Sequence, residues 1–266
     1  MDYTLNIRGH LMSLAQPQVM GILNCTPDSF YAGSRRQTEL EISQRADEIV
    51  AQGGTFIDVG AMSTRPGHEE VTPEEEMRRL RMAIPAIRRA QPDVAISVDT
   101  FRADVARMAV EELGADIIND VAEGADPQMF STVASLRVPY ILMSVQKDLH
   151  DTLMSFAQKV QLLRDLGQKD IILDPGYGFG KDMQQNYALL AEQDKMLELE
   201  LPLLVGISRK RMIWQLLNST PDAALNGTTV LNTMALMKGA SILRVHDVAE
   251  AVECVRIYNQ LINSQQ

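Results

Sequence analysis

At 266 residues the chain matches the roughly 250 of one α/β barrel, and it is also long enough for two ordinary domains. With 45% hydrophobic and 23% charged residues it is far from disordered or collagen-like composition and predicts a globular protein. The 35 acidic and 25 basic side chains give a formal charge of −10, which excludes non-specific nucleic-acid binding and requires a local basic site for any anionic substrate.

The first eighteen residues, MDYTLNIRGHLMSLAQPQ, have an acidic second position and alternating polarity, unlike a signal peptide. Tyr3 to Ile7 and Leu11 to Leu14 flank Arg8-Gly9-His10 and read as a β-hairpin, placed to plug the bottom of a barrel. Eight short apolar runs then recur, each closing on a polar residue or glycine: Val19 to Asn24, Thr55 to Ala61, Ala95 to Thr100, Ala115 to Asp120, Pro139 to Val145, Asp170 to Asp174, Leu201 to Ile207, and Ser241 to His246. Their near-continuous hydrophobicity predicts parallel strands covered on both faces.

Between the strands, helices are expected over Glu39 to Gln52, Thr72 to Arg89, Arg102 to Leu113, Leu153 to Leu166, Asn186 to Leu199, Lys210 to Leu217, Gly227 to Lys238 and Val248 to Ile262. In the second of these Thr72 can cap, Pro73 fits the first helical position and Glu75 completes a capping box. Strands alternating with helices in this way predict a closed (β/α)8 TIM barrel, with an open doubly wound sheet as the alternative. No linker, repeat or low-complexity tract divides the chain, so residues 1–266 are read as one domain. No apolar stretch reaches the roughly 18 residues of a membrane span. Cys25 and Cys254 stand far apart without neighbouring ligands, which predicts neither disulfide nor zinc site and fits a reducing cytoplasm.

Reacting groups in such a barrel sit at the C-terminal strand ends and in the loops that follow. Those positions carry Asn24, then Asp58 with Ser63-Thr64-Arg65, Asp99, Asn119, Met143 with Gln146, Asp174, Ser208-Arg209-Lys210, and Arg244 with His246. Carboxylates at Asp99 and Asp174, the Asn119 amide and the Lys210 ammonium suit a flat heterocycle with amidine-type N–H donors and a ring carbonyl. Arg65, Arg244 and His246 suit a polyanion, which together point to a phosphorylated small molecule. Asp58 is open to either a structural or a site role, and Met143 reads as packing. Gly176-Tyr177-Gly178-Phe179-Gly180-Lys181 lacks the spacing of a phosphate loop. Gly206-Ile207-Ser208-Arg209-Lys210 lacks the closing glycine of a nucleophile elbow.

The motifs Met20-Gly21-Ile22-Leu23-Asn24-Cys25-Thr26-Pro27-Asp28-Ser29-Phe30, Ile57-Asp58-Val59-Gly60, Ser63-Thr64-Arg65-Pro66-Gly67, Ser97-Val98-Asp99-Thr100, Ile118-Asn119-Asp120, Leu173-Asp174-Pro175-Gly176 with Gly178-Phe179-Gly180-Lys181, Gly206-Ile207-Ser208-Arg209-Lys210, Gly227-Thr228-Thr229 and Leu243-Arg244-Val245-His246-Asp247 occur in this order. Together they resemble the dihydropteroate synthase family over essentially the whole chain. The resemblance implies a TIM barrel that joins 4-aminobenzoate to 6-hydroxymethyl-7,8-dihydropterin diphosphate by a dissociative substitution. It also implies folate biosynthesis, Mg²⁺, a homodimer and sulfonamide sensitivity. In that reading Asp99, Asn119, Met143, Asp174, Lys210 and Arg244 hold the pterin. Asn24, Arg65, Arg244 and His246 serve the diphosphate, with Asn24 also on the metal, and Thr64, Arg65, Pro66, Phe179 and Ser208 shape the aminobenzoate pocket. The catalytic set is then Asn24, Asp99, Asp174, Lys210, Arg244 and His246.

Two positions depart from the family. Phe30-Tyr31-Ala32-Gly33-Ser34 carries Ala32 where many members have an Asp, and Ser144-Val145-Gln146-Lys147 replaces a His-Met-Gln-Gly segment. The rival readings are a methyltetrahydrofolate-type methyltransferase, which shares Asp99, Asn119 and Asp174, and a pterin-binding protein without turnover.

Overall fold

The structure, a computed structural model, describes residues 2–25, 35–62 and 71–264, with the side chains of 35–37 left aside. Two antiparallel strands, β1 (Thr4–Ile7) and β2 (His10–Ser13), form the expected hairpin. Its turn uses Arg8 at φ 52° and Gly9 at φ 83°. Eight parallel strands follow: β3 (Gln18–Asn24), β4 (Phe56–Gly60), β5 (Ala95–Asp99), β6 (Ile117–Asp120), β7 (Tyr140–Met143), β8 (Ile171–Asp174), β9 (Leu203–Val205) and β10 (Ala240–Val245). They pair in sequence order, and β10 closes the barrel on β3 with Arg244 opposite Met20, so the fold is a TIM barrel and the open sheet is excluded.

The helices are α1 (Arg35–Ala51), α2 (Pro73–Ala90), α3 (Ala103–Glu111), α4 (Met129–Leu136), α5 (Leu149–Asp165), α6 (Met183–Ala191), α7 (Arg211–Leu216), α8 (Leu225–Met237) and α9 (Val248–Asn263). Helix α4 was not expected. It is two turns of MFSTVASL, without a side-chain cap and with β-branched and hydroxyl residues that weaken its helical signal. The expected helix at Asn186 to Leu199 divides into α6 and a 3₁₀ turn at Gln193–Leu199. On α2, Thr72 Oγ1 accepts from Glu75 N, but the Glu75 carboxylate turns to Arg78 and Arg79 rather than closing a capping box.

Strand side chains alternate between the barrel interior and the helix layer. The interior floor is Met20, Phe56, Ala95, Ile117, Ile141, Ile172, Leu204 and Ile242, one residue from each barrel strand, and it packs on Leu5, Ile7 and Leu14 of the hairpin region. The hairpin therefore does plug the bottom. Arg8 fastens it there, donating to the carbonyls of Pro92 and Asp93 and pairing with Asp116 at 3.2 Å. No helix among the described residues is long and apolar enough to cross a membrane.

Candidate active site

Period-two alternation carries each floor residue up to a polar one at the mouth. Phe56 leads to Asp58, Ala95 through Ser97 to Asp99, Ile117 to Asn119, Ile141 to Met143, Ile172 to Asp174, and Ile242 to Arg244; on β3 the same series runs from Met20 to Asn24. Leu204 leads to Gly206, where the missing side chain leaves room beside Arg244 and Lys210. The predicted pterin set thus converges because all its strand-borne members share one inward phase.

At the centre, Arg244 Nε donates to Asp58 Oδ2 at 2.6 Å and Arg244 Nη2 to Asp99 Oδ2 at 2.9 Å. Asn119 Nδ2 also donates to Asp58 Oδ2, at 3.1 Å. Asp58 is fully buried, and its Oδ1, like Asn119 Oδ1 and Ser97 Oγ, lacks a partner among the described residues. Burial pushes the Asp99 carboxyl up to about 7 against the pull of Arg244, with Asp58 pushing it further. Asp174 is raised for the same reason, with Lys210 and Arg244 opposing, and its Oδ1 accepts from Gly176 N at 2.8 Å.

Lys210 stands at the N-terminus of α7 and reaches toward the loop that follows β8. Its ammonium donates to the Tyr177 carbonyl and lies 4.5 Å from the Phe179 ring centroid. Burial holds its pKa down to about 8, opposed by Asp174. That loop needs its glycines. Gly176 sits at φ 68°, and an added Cβ would strike the Ser144 carbonyl oxygen; one at Gly178 would come 2.8 Å from Lys210 Cδ.

The rim is made by the ends of β9 and β10. Ser208 Oγ lies 3.0 Å from His246 Nδ1 and accepts from His246 N at 3.2 Å. Arg209, at φ 55°, meets Asp247 with two hydrogen bonds of 2.8 and 2.7 Å, and Arg45 Nη2 donates to the His246 carbonyl at 2.7 Å. Asn24 is half-buried opposite Gly60, where a Cβ would come 3.1 Å from Asn24 Oδ1.

Among the described residues no group of three or more His, Cys, Asp or Glu gathers for a metal. The Asn24 amide oxygen still fits Mg²⁺, which commonly keeps its waters and takes one or two protein oxygens beside substrate phosphates.

The structure brings together Asn24, Asp99, Asn119, Met143, Asp174, Phe179, Ser208, Lys210, Arg244 and His246 at one mouth. Thr64, Arg65, Pro66 and Ala32 lie outside the described residues. Gln146 turns away to Glu123, donating at 3.0 Å. Asp58 is resolved as a partner of the site. Its place two residues above Phe56 in the inward phase was the available signal. Lys181, Arg209 and Asp247 stand in the motifs, but the carbonyl contacts of Lys181 and the Arg209–Asp247 pairing carry no sequence signal, because no strand periodicity positions the loops that they join.

A family model described as pterin binding enzyme matches residues 20–246. The chain is 38% identical over 274 residues to the dihydropteroate synthase of Escherichia coli K12, covering 97% of this chain and 96% of the relative. It is 40% identical over 255 residues to that of Streptococcus pyogenes, covering 92% and 95%. Among solved structures, Xanthomonas albilineans dihydropteroate synthase with 4-aminobenzoic acid is similar at TM-score 0.91 and 35% identity, with 98% of both chains covered. The same organism's synthase in complex with 7,8-dihydropteroate gives TM-score 0.88 at 33% identity, covering 97% of this chain and 98% of that one. The Yersinia pestis synthase in a sulfonamide drug complex gives 0.87 at 38%, covering 98% and 100%.

Proposed function

The chain belongs to the dihydropteroate synthase family of pterin-binding enzymes, and we propose that it is a transferase joining 6-hydroxymethyl-7,8-dihydropterin diphosphate to 4-aminobenzoate, releasing pyrophosphate. The observation that carries this reading is the convergence of Asp99, Asn119, Asp174 and Lys210 around Arg244 above the apolar floor.

The pterin lies on this set. Asp174 and Asp99 accept from its N–H edge, the unpartnered Asn119 Oδ1 takes another donor, and Lys210 exchanges the Tyr177 carbonyl for the ring carbonyl. Met143 packs beneath, against Gly176. Arg244 stacks on the ring and reaches the diphosphate with His246, Asn24 and Arg65. Phe179 and Ser208, with Thr64, Arg65 and Pro66, wall the aminobenzoate side. The roles of Thr64, Arg65 and Pro66 rest on the family resemblance alone.

The methylene carbon–oxygen bond breaks first and its electron pair leaves with the diphosphate. The amine nitrogen of aminobenzoate then attacks the carbon and sheds a proton. The buried carboxylates favour the developing cation and Arg244 and His246 the leaving anion, so electrostatic preorganisation supplies the acceleration. Mg²⁺ held at Asn24 would neutralise charge on the diphosphate. A homodimer is supported by the exposed apolar side chains of α7 to α9, among them Leu216, Val230, Met234, Met237 and Ile257. The two buried free thiols agree with a reducing cytoplasm.

The test is pyrophosphate release from the purified protein with dihydropterin diphosphate and Mg²⁺, with and without 4-aminobenzoate, while dihydropteroate is followed by chromatography. Release that depends on aminobenzoate and matches product is expected. Pterin binding without release would identify a binding protein instead.

A further inference from the structure

Lys181 closes the loop that carries Tyr177 and Phe179. It is half-buried, and its ammonium donates to three carbonyl oxygens: Gly176 at 3.0 Å, Ser144 at 3.2 Å and Phe179 at 3.3 Å. An ammonium has three N–H donors, so all are used on backbone. The acceptors belong to two different loops, Ser144 just past β7 and the other two past β8. The same loop holds Lys210 through the Tyr177 carbonyl, the Phe179 ring and the close approach at Gly178.

Resting on the synthase reading above, we propose that Lys181 is a positioning residue: it clamps the glycine loop to the end of β7 and so sets the Lys210 ammonium and the Phe179 ring where pterin and aminobenzoate meet. The sequence GFGK resembles a phosphate-binding run, but the three carbonyl contacts give this lysine the opposite task, holding backbone oxygens rather than phosphate ones.

Lys181 also acts on Lys210 through charge. The charged groups facing Lys210 are Asp174 on β8 and Asp99 on β5, which favour its protonated form, and Arg244 on β10 and Lys181 itself, which oppose it. Burial holds Lys181 itself down to about 8, so the two ammoniums titrate over the same range, and a neutral residue in place of Lys181 raises the proton affinity of Lys210 below that pH. That charge effect acts whatever else Lys181 does, so the aminobenzoate KM and its rescue by arginine, not the pH limb, read the clamp.

The experiment uses the full chain and its Lys181→Met and Lys181→Arg variants, with KM for each substrate, the pH profile of kcat/KM, and thermal melts. In Lys181→Met the aminobenzoate KM should rise about tenfold, the scale of losing charged hydrogen bonds. Its alkaline limb should move to higher pH, while Lys181→Arg keeps the limb in place. An aminobenzoate KM within about twofold of the parent would overturn the proposal, whether or not the limb moves. If Lys181→Met does not fold, Lys181→Gln is judged by the same KM. A parent protein that forms no dihydropteroate would instead defeat the synthase reading. The affinity for 6-hydroxymethylpterin then decides the clamp, which stands if Lys181→Met weakens binding about tenfold while Lys181→Arg keeps it, and falls if both bind as the parent does.

Discussion

Asp58 Oδ2 accepts two hydrogen bonds at once, from Arg244 Nε at 2.6 Å and from Asn119 Nδ2 at 3.1 Å. A single buried oxygen thereby fixes the plane of the guanidinium and the face of the amide. Asp58→Asn keeps the shape but removes the charge that orients Arg244. The expected result is a loss of kcat/KM by about tenfold to a hundredfold, on the scale of a charge-assisted hydrogen bond, with aminobenzoate KM little changed. Wild-type kinetics would show that Asp58 does no orienting.

Arg244→Ala should lower kcat/KM by about 2 to 4 kcal/mol, the size of a lost electrostatic transition-state contact. It also strips the fully buried Asp58 of its counter-charge. Calorimetry should therefore find a stability loss of roughly 3 to 5 kcal/mol, as for breaking a buried ion pair. An unchanged melting curve would contradict the buried pairing.

Lys210 has its pKa held down to about 8 from the ordinary 10.5 of a lysine. It must be protonated to donate, so kcat/KM should fall as pH rises past about 8. For stability the sign is opposite. The unfolded chain binds more protons between about 8 and 10.5, so this group makes the fold more stable as pH rises through that window. Lys210→Met should abolish turnover yet melt no lower than the parent at pH below about 8. Retained turnover would remove Lys210 from the pterin set.

Asp99 has its carboxyl pushed up to about 7 from 3.8, chiefly by burial. The folded protein then binds the extra proton, and its contribution to stability falls as pH rises between those two values. At a pH above both, Asp99→Asn should lose activity while melting at or above the parent temperature. A clear drop in melting temperature there would mean that the ion pair with Arg244 outweighs the cost of burial.

Cys25 is 4% exposed, and burial pushes its thiol up to about 12. It should resist alkylation in the native protein, and Cys25→Ser should keep full activity. Rapid labelling at neutral pH or a dead variant would give the thiol a role beyond packing.

The barrel and its mouth were legible because strand periodicity is a short-range property: the phase that buries Phe56 and Ile172 also places Asp58 and Asp174. The plug was legible from two short runs around Arg8-Gly9-His10. What the residues concealed lies where backbone meets side chain over long sequence separations. Asp58 and Arg244 are 186 positions apart, and nothing local to either names the other. Lys181 binds carbonyls, which every residue possesses, so its sequence gives no hint of its acceptors. Helix α4 was missed because packing stabilises it more than its own sequence does.

The apolar floor under the carboxylates has a further consequence for proton traffic. Met20, Phe56, Ala95, Ile117, Ile141, Ile172, Leu204 and Ile242 leave no polar relay downward, and the hairpin seals what lies beneath them. Among the described residues, Asp99 and Asp174 therefore meet solvent from the mouth side, where a bound pterin would stand between them and water.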